Sequence, residues 1–152
     1  MALPNIFTKE VSDQMVHRIN QLQPSLQPAW GSMSAAQMLA HCNVTYELLF
    51  EDKHPMPNFL MKIILKAFVK KIVTNEVPYK HNSQTAPAFK IKGDKDFNAE
   101  KSRLINNIYK TQQLGERHFD GLESHSFGPL NKDEWNNMFY KHLDHHLNQF
   151  QK

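Results

Sequence analysis

Apolar residues recur at helical spacing along most of the chain, and few windows alternate apolar and polar residues as strands do. The first periodic stretch covers about residues 8–22, and Pro24 and Pro28 follow it. Because proline lacks a backbone donor and restricts the residue before it, we expect a first helix to end near Leu22.

A capping box predicts the start of a second helix. Ser34 is followed three residues later by Gln37, so each side chain can bond to the backbone N–H of the other residue. The helix continues to about Phe50, and one of its sides carries Met38, Cys42, Thr45, Tyr46 and Leu49. Successive residues are about 100° apart on a helix, which places His41 at the edge of that side.

A third periodic stretch, about residues 58–74, is apolar around most of its circumference. Lys62, Lys66 and Lys70 form a narrow stripe on it. We expect this helix to be packed against the rest of the fold or a dimer mate, with the lysines facing water. The alternative is a binding module in which the lysine stripe and apolar body contact an anionic membrane or a partner.

Residues 75–96 show no helical pattern, and Pro78, Pro87 and Gly93 interrupt them. Residues 89–92 alternate like a short extended segment. Long loops in small domains are often functional or mobile, so this loop is a candidate lid.

A fourth helix is predicted over about residues 98–114, and a turn-rich connector follows at residues 124–130. Asn131 and Glu134 repeat the capping-box spacing at the start of a last helix that reaches about Phe150. The pattern predicts an all-α fold: one domain over residues 1–152, a helical bundle with an extra helix and one long crossover loop.

Composition adds few constraints. The 152 residues suffice for one domain, and 40% hydrophobic with 22% charged residues is ordinary for a soluble protein. A net charge of +3 is too small to indicate nucleic-acid binding, and the single cysteine excludes an intrachain disulfide. The sequence shows neither a signal-like start nor an eighteen-residue apolar run, so we expect a cytoplasmic protein without stable membrane association.

Two histidines on the last helix are the strongest chemical signal. His142 and His146 are one helical turn apart, so their Cβ atoms lie roughly 5–6 Å from each other on one face. Two neutral imidazoles at this spacing can share a divalent ion, and His41 is the best candidate for a third ligand. The spacing alone leaves three alternatives open: a metal site, a hydrogen-bonded histidine cluster, or a mostly exposed arrangement.

Other residues have weaker claims. His145 points about 60° away from His142. We therefore expect it either to contact the ligands from outside the metal site or to lie at the surface. Cys42 is best interpreted as a small buried hydrophobic residue. The catalytic motifs of serine hydrolases, zinc peptidases and phosphate-binding loops are missing from the sequence.

Three segments carry a resemblance to a known superfamily, namely Trp30–His41, Phe127–Trp135 and Tyr140–Phe150. Together they resemble the DinB/YfiT-like superfamily of small four-helix-bundle proteins, over nearly the whole chain. The tail is similar to that of a narrower branch of uncharacterised bacterial proteins, in which it reads KHLDHHLxQF.

The resemblance implies a fold and a metal site. In the superfamily, a histidine on the second helix and two at HxxxH spacing on the last helix bind one divalent ion, commonly nickel, zinc, manganese or iron. The corresponding residues here are His41, His142 and His146. The resemblance also implies a right-handed up-down-down-up bundle, often dimeric, and places His125 close to the site.

The resemblance also implies an activity. Superfamily members include transferases and isomerases that use low-molecular-weight thiols, and others are described as metal-dependent hydrolases. We therefore expect an enzyme acting on a small molecule by thiol S-transfer or hydrolysis, with metal positions left open for water or thiol. The third helix and the long loop depart from the thiol transferases. The alternative is a non-catalytic binding module with a structural metal or none.

Overall fold

The computed structural model describes residues 2–152, so Met1, where the predicted domain begins, lies outside the described residues. Helix accounts for 58% of the chain and strand for 3%, which confirms the all-α prediction. The helices are α1 (Lys9–Asn20), α2 (Ala35–Phe50), α3 (Phe59–Ile64), α4 (Lys70–Thr74), α5 (Phe97–Leu114), α6 (Glu116–Phe119) and α7 (Lys132–Gln149). A π-helical turn, Leu65–Val69, joins α3 to α4, and the two-residue strands β1 (Glu123–Ser124) and β2 (Gly128–Pro129) pair antiparallel.

Side-chain caps fix the starts of the two helices that carry the candidate ligands. At α2, the backbone N–H of Gln37 donates to Ser34 Oγ over 3.2 Å, and the backbone N–H of Ser34 donates to Gln37 Oε1 over 3.0 Å. Asn131 and Glu134 form the same reciprocal pair at α7. Each cap satisfies helix donors that would otherwise lack a partner and contributes about 1 kcal/mol. Both predicted capping boxes are confirmed.

Four helices surround the hydrophobic core. α2 packs against α5 and α7, and α1 packs against the same two helices. The largest fully buried aromatic residues are Tyr46, Phe119, Phe139 and Phe150. Each such side chain stabilises the fold by roughly 1.5–3 kcal/mol relative to exposure. This packing holds one face of α7 against α2, which brings His142 and His146 to the same side as His41.

Residues 59–74 form an arm that consists of α3, the π turn and α4. Across Phe59–Val69, all of which the structure describes, no side chain is buried. Phe59 is 81% exposed and Phe68 is 72% exposed. Of the two expected arrangements, packing of the apolar face against the rest of the fold is wrong, and packing against a dimer mate stays a prediction.

The arm is attached to α7 through its C-terminal end. Lys70 forms a 2.9 Å ion pair with Glu134 of α7. Lys141, also on α7, donates from Nζ to the backbone carbonyls of Ile72 and Asn75, each over 2.7 Å. The lysine stripe was expected to face water, but Lys70 faces the body of the protein.

The long connection at residues 75–96 has the irregular form that the sequence predicts. Its regular structure is a single 3-10 turn, Pro87–Phe89. Within residues 2–152, no helix has the length and apolar character needed to cross a membrane.

Candidate metal centre

The three predicted ligands meet between α2 and α7. His41, His142 and His146 each offer one ring nitrogen, and these nitrogens all lie within 4.8 Å of one another. The Nε2 atoms of His41 and His142 are 3.0 Å apart. Two nitrogens bound at about 2.0–2.1 Å to one tetrahedral ion lie roughly 3.3–3.4 Å apart, so small adjustments suffice to hold an ion.

Hydrogen bonds on the opposite ring nitrogens orient two of the imidazoles. His41 Nδ1 lies 2.8 Å from the carbonyl oxygen of Phe89, and His146 Nδ1 lies 2.9 Å from Gln149 Oε1. Both oxygens accept only, so each Nδ1 carries the proton and each Nε2 keeps a free lone pair. This arrangement is the usual outer support of a metal-bound histidine.

The amide of Gln149 has a defined orientation. Its Nε2 donates to the carbonyl oxygen of Trp30 over 2.6 Å, so Oε1 must face His146. Gly31 permits this contact, because a Cβ atom there would lie 2.8 Å from Gln149 Nε2. Its φ of +78° also belongs to the region that favours glycine. The Trp30–Gly31 turn therefore fixes the ring orientation of His146.

His142 can adopt either neutral tautomer. Its Nδ1 lies 3.0 Å from Thr45 Oγ1, and a hydroxyl can donate or accept a hydrogen bond. Without a metal, His142 Nε2–H can donate to His41 Nε2 while Thr45 donates to Nδ1. When Thr45 accepts from Nδ1–H instead, all three Nε2 lone pairs are available to one ion. The same side chains therefore satisfy both the metal site and the histidine cluster predicted from the sequence.

Burial keeps the three imidazoles neutral near pH 7. It lowers the pKa of His142 well below its usual value, and the nearby His146 and His41 add to the effect. Burial, followed by the proximity of His41, lowers the pKa of His146 to about 3. Burial also lowers the pKa of His41, although its bond to the Phe89 carbonyl opposes the shift. Neutral imidazole is the form that binds metal ions.

A fourth protein ligand is missing from the group that the described residues form. Cys42 is buried with its Sγ 3.7 Å from Met38 Sδ, and burial raises the pKa of the thiol. His125 lies between the two short strands, where its ring nitrogens contact Ser126 Oγ and the carbonyl oxygen of His54. The donor set therefore has three nitrogens, as in catalytic rather than closed structural zinc sites.

His145 lies beside the centre rather than in it. Its ring centroid is 5.0 Å from that of His146 and 5.6 Å from those of Trp30 and Tyr79. His145, Trp30, Tyr79 and His81 line a cavity of about 120 Å³, and His81 stacks on Trp30 at 3.7 Å. His145 contributes to the lining of this cavity, whereas none of the three candidate ligands does.

The long loop covers the centre through Phe89. Its ring centroid is 5.3 Å from that of His41 and 5.7 Å from that of His142. A second contact, from Gln37 Nε2 to the carbonyl oxygen of Gly93 over 3.1 Å, holds the loop against α2. Phe89 therefore lies against two of the three histidines, and the role of this loop as a lid stays a prediction.

A family match covers almost the whole chain. The model of DUF1569, described as a protein of unknown function, matches residues 6–152. The chain belongs to the DUF1569 family. The matched part of this DUF1569 protein includes all three clustered histidines and the loop that covers them. No curated protein and no solved structure matches the chain.

Several supporting residues were missed by reasoning from the sequence. Gln149 was detectable, because it lies three residues after His146 on the same helix and so on a neighbouring position of its surface. Thr45 was assigned only to the core-facing side of α2, although it is four residues from His41. Phe89 and His81 had no such signal, since they lie on an irregular loop.

We expect Gly31→Ala to lower the free energy of unfolding by about 1–3 kcal/mol. An alanine backbone is strained at a φ of +78°, and the added Cβ would lie only 2.8 Å from Gln149 Nε2. Gly121→Ala is the matched control, because Gly121 has a φ of +82° and nothing within 4 Å of the added Cβ. Urea denaturation should show a larger loss for Gly31→Ala, and equal losses would contradict the role assigned to the contact with Gln149.

Proposed function

We propose that this DUF1569 protein is a DinB/YfiT-like metalloenzyme that acts on a small molecule at a site formed by His41, His142 and His146. The observation that carries the proposal is the convergence of three neutral imidazoles, two of which are oriented by acceptors on Nδ1. The mutual packing of α1, α2, α5 and α7 supports the four-helix, up-down-down-up bundle that the resemblance implies.

The donor set suits one divalent ion. Imidazole nitrogens favour zinc, nickel and iron, and manganese remains a candidate through the resemblance. When bound, such an ion supplies a Lewis acid that favours deprotonation of a water molecule or a thiol. The chain contributes the orientation of the ligands through Phe89, Gln149 and Thr45.

Two reaction classes fit this site, namely S-transfer from a low-molecular-weight thiol and hydrolysis. Both need at least one position that protein ligands leave open, and the three-nitrogen donor set supports such a position. Both also need the substrate to reach the ligands, which Phe89 covers. Displacement of residues 75–96 is therefore part of the proposed substrate entry.

The metal content is the first test. Protein purified without a histidine tag and treated with a chelator should rebind about one divalent ion per chain in titrations with zinc, nickel, manganese and iron(II), as three converging ligands require. Elemental analysis after gel filtration measures the stoichiometry. Failure to retain any of the four ions would exclude the proposed centre.

The open position has its own test. Cobalt(II)-loaded protein is titrated with 2-mercaptoethanol, and ethylene glycol serves as the control without a thiol. We expect a new thiolate-to-cobalt charge-transfer band when 2-mercaptoethanol is added and no such band when ethylene glycol is added. An unchanged spectrum at saturating thiol would show a closed coordination sphere, and the non-catalytic binding module would then replace the enzyme.

A further inference from the structure

The outward face of the arm is continuous and apolar. Its large exposed hydrophobic side chains are Phe59, Leu60, Met61, Ile63, Ile64, Phe68 and Ile72. Seven such side chains present on the order of 700 Å² of apolar surface, above the roughly 300–600 Å² usual for the largest patch on a monomer. A patch of this size marks a surface that contacts a partner or a membrane.

The π turn keeps the apolar side chains on the same side of the helix along the whole arm. A π turn adds a residue without adding a helical turn, so later residues rotate by about 100° relative to a continuous α-helix. In a continuous helix Lys70 would follow Phe59 and Ile63 on the outward face, while Ile72 would turn inward. In the structure Lys70 instead pairs with Glu134, and Ile72 is exposed.

The charged residues of the arm itself are of one sign. Residues 59–74 contain four lysines and no aspartate or glutamate, and one of the four, Lys70, is paired with Glu134 of α7. Lys66 and Lys71 are exposed and lie among the apolar residues along the arm. Lysines at the border of an apolar face can reach anionic headgroups while the apolar side chains enter the acyl region.

We propose that the arm is a docking surface for an anionic lipid membrane, on which it lies without crossing. The apolar face supplies hydrophobic burial, and the lysines supply attraction to the negative surface of the membrane. The arm has 16 residues, fewer than the roughly 20 apolar residues that a membrane-crossing helix needs, which fits an interfacial position. The proposal revises the expectation of no membrane association and does not depend on the metal centre.

A second copy of the chain is the less favoured occupant. A two-fold symmetric contact places the same surface on both subunits, so the lysines of the two arms would approach each other. Residues 53–75 offer no carboxylate to neutralise them. An anionic surface pairs with the same lysines favourably.

The test is co-sedimentation of the full-length protein with vesicles of phosphatidylcholine containing about 30% phosphatidylserine, compared with pure phosphatidylcholine. We expect binding that is at least about tenfold stronger to the anionic vesicles. Phe59→Ser/Phe68→Ser should abolish it, and Leu114→Ser, at an exposed apolar position on α5, should not. Lys66→Glu/Lys71→Glu should weaken binding about tenfold or more, whereas Lys92→Glu/Lys95→Glu should have a smaller effect.

Two outcomes would overturn the proposal. One is equal sedimentation of the wild type and Phe59→Ser/Phe68→Ser with anionic vesicles. The other is a lipid-free dimer in analytical ultracentrifugation that the same double substitution dissociates, together with no vesicle binding by the wild type. Because the substituted side chains are exposed, the circular dichroism of each variant should match that of the wild type, which separates lost binding from lost folding.

Discussion

Replacing His142 by alanine is expected to abolish stoichiometric binding of a divalent ion, with the affinity falling more than roughly 100-fold. Even residues that only support metal ligands cost about 10–100-fold when they are removed, and His142 is one of the three proposed ligands. Its Nε2 lies 3.0 Å from that of His41, so its loss leaves two nitrogens to hold the ion. Calorimetric titration of tag-free protein with zinc or nickel measures the change.

His145→Ala is the matched control for this substitution. His145 neighbours His146 and lines the adjacent cavity, but its ring nitrogens do not belong to the ligand group formed by the described residues. We expect its loss to reduce affinity by less than about tenfold. Equal losses from His142→Ala and His145→Ala would contradict the ligand assignment, provided that both variants keep the helical circular dichroism of the wild type.

Acidification from pH 7 to pH 5 is expected to lower the free energy of unfolding of the metal-free protein by at least about 2 kcal/mol. His142 and His146 have pKa values far below 6.5 in the folded state, so they stay neutral there and gain protons on unfolding. The unfolded chain then binds more protons, and stability falls as the pH drops below about 6.5. His146, with its pKa of about 3, contributes about 2 kcal/mol over this interval, and His142 and His41 act in the same direction.

Urea denaturation of chelator-treated protein at pH 7, 6 and 5 measures this loss. Carboxylates titrate mostly below pH 5, so they contribute little over the interval. His146→Gln removes one buried imidazole and should reduce the loss by about 2 kcal/mol. A wild-type stability that is unchanged between pH 7 and pH 5 would show that the histidines are not held neutral by burial.

The cluster of three histidines could be predicted because it depends on local periodicity. The four-residue spacing of His142 and His146 fixes their common face on any regular helix. The capping box at Ser34 sets where α2 begins, and the helical angle then places His41 beside the core. The structure brings these three side chains together, as the sequence predicted.

The surroundings of the site could not be predicted, because they depend on an irregular segment. Nothing in the sequence around Phe89 indicates that its carbonyl oxygen faces His41. The prediction that the arm would be packed against the fold was wrong for a different reason. An apolar pattern shows that a helix has a broad hydrophobic surface, but not which part of the protein covers it, and the π turn has no sequence signal that marks it.

If His41 holds an ion as proposed, its Nδ1 hydrogen bond to the Phe89 carbonyl would link two equilibria, namely ion binding and closure of the loop. By thermodynamic reciprocity, whatever holds residues 75–96 in place would raise the affinity for the ion by the same factor by which the ion favours the closed loop. A substrate that displaced Phe89 would lose part of that mutual stabilisation as it entered. Direct contacts between the substrate and the ion would have to replace it, so the proposal predicts weaker binding of molecules that lack a metal-binding group.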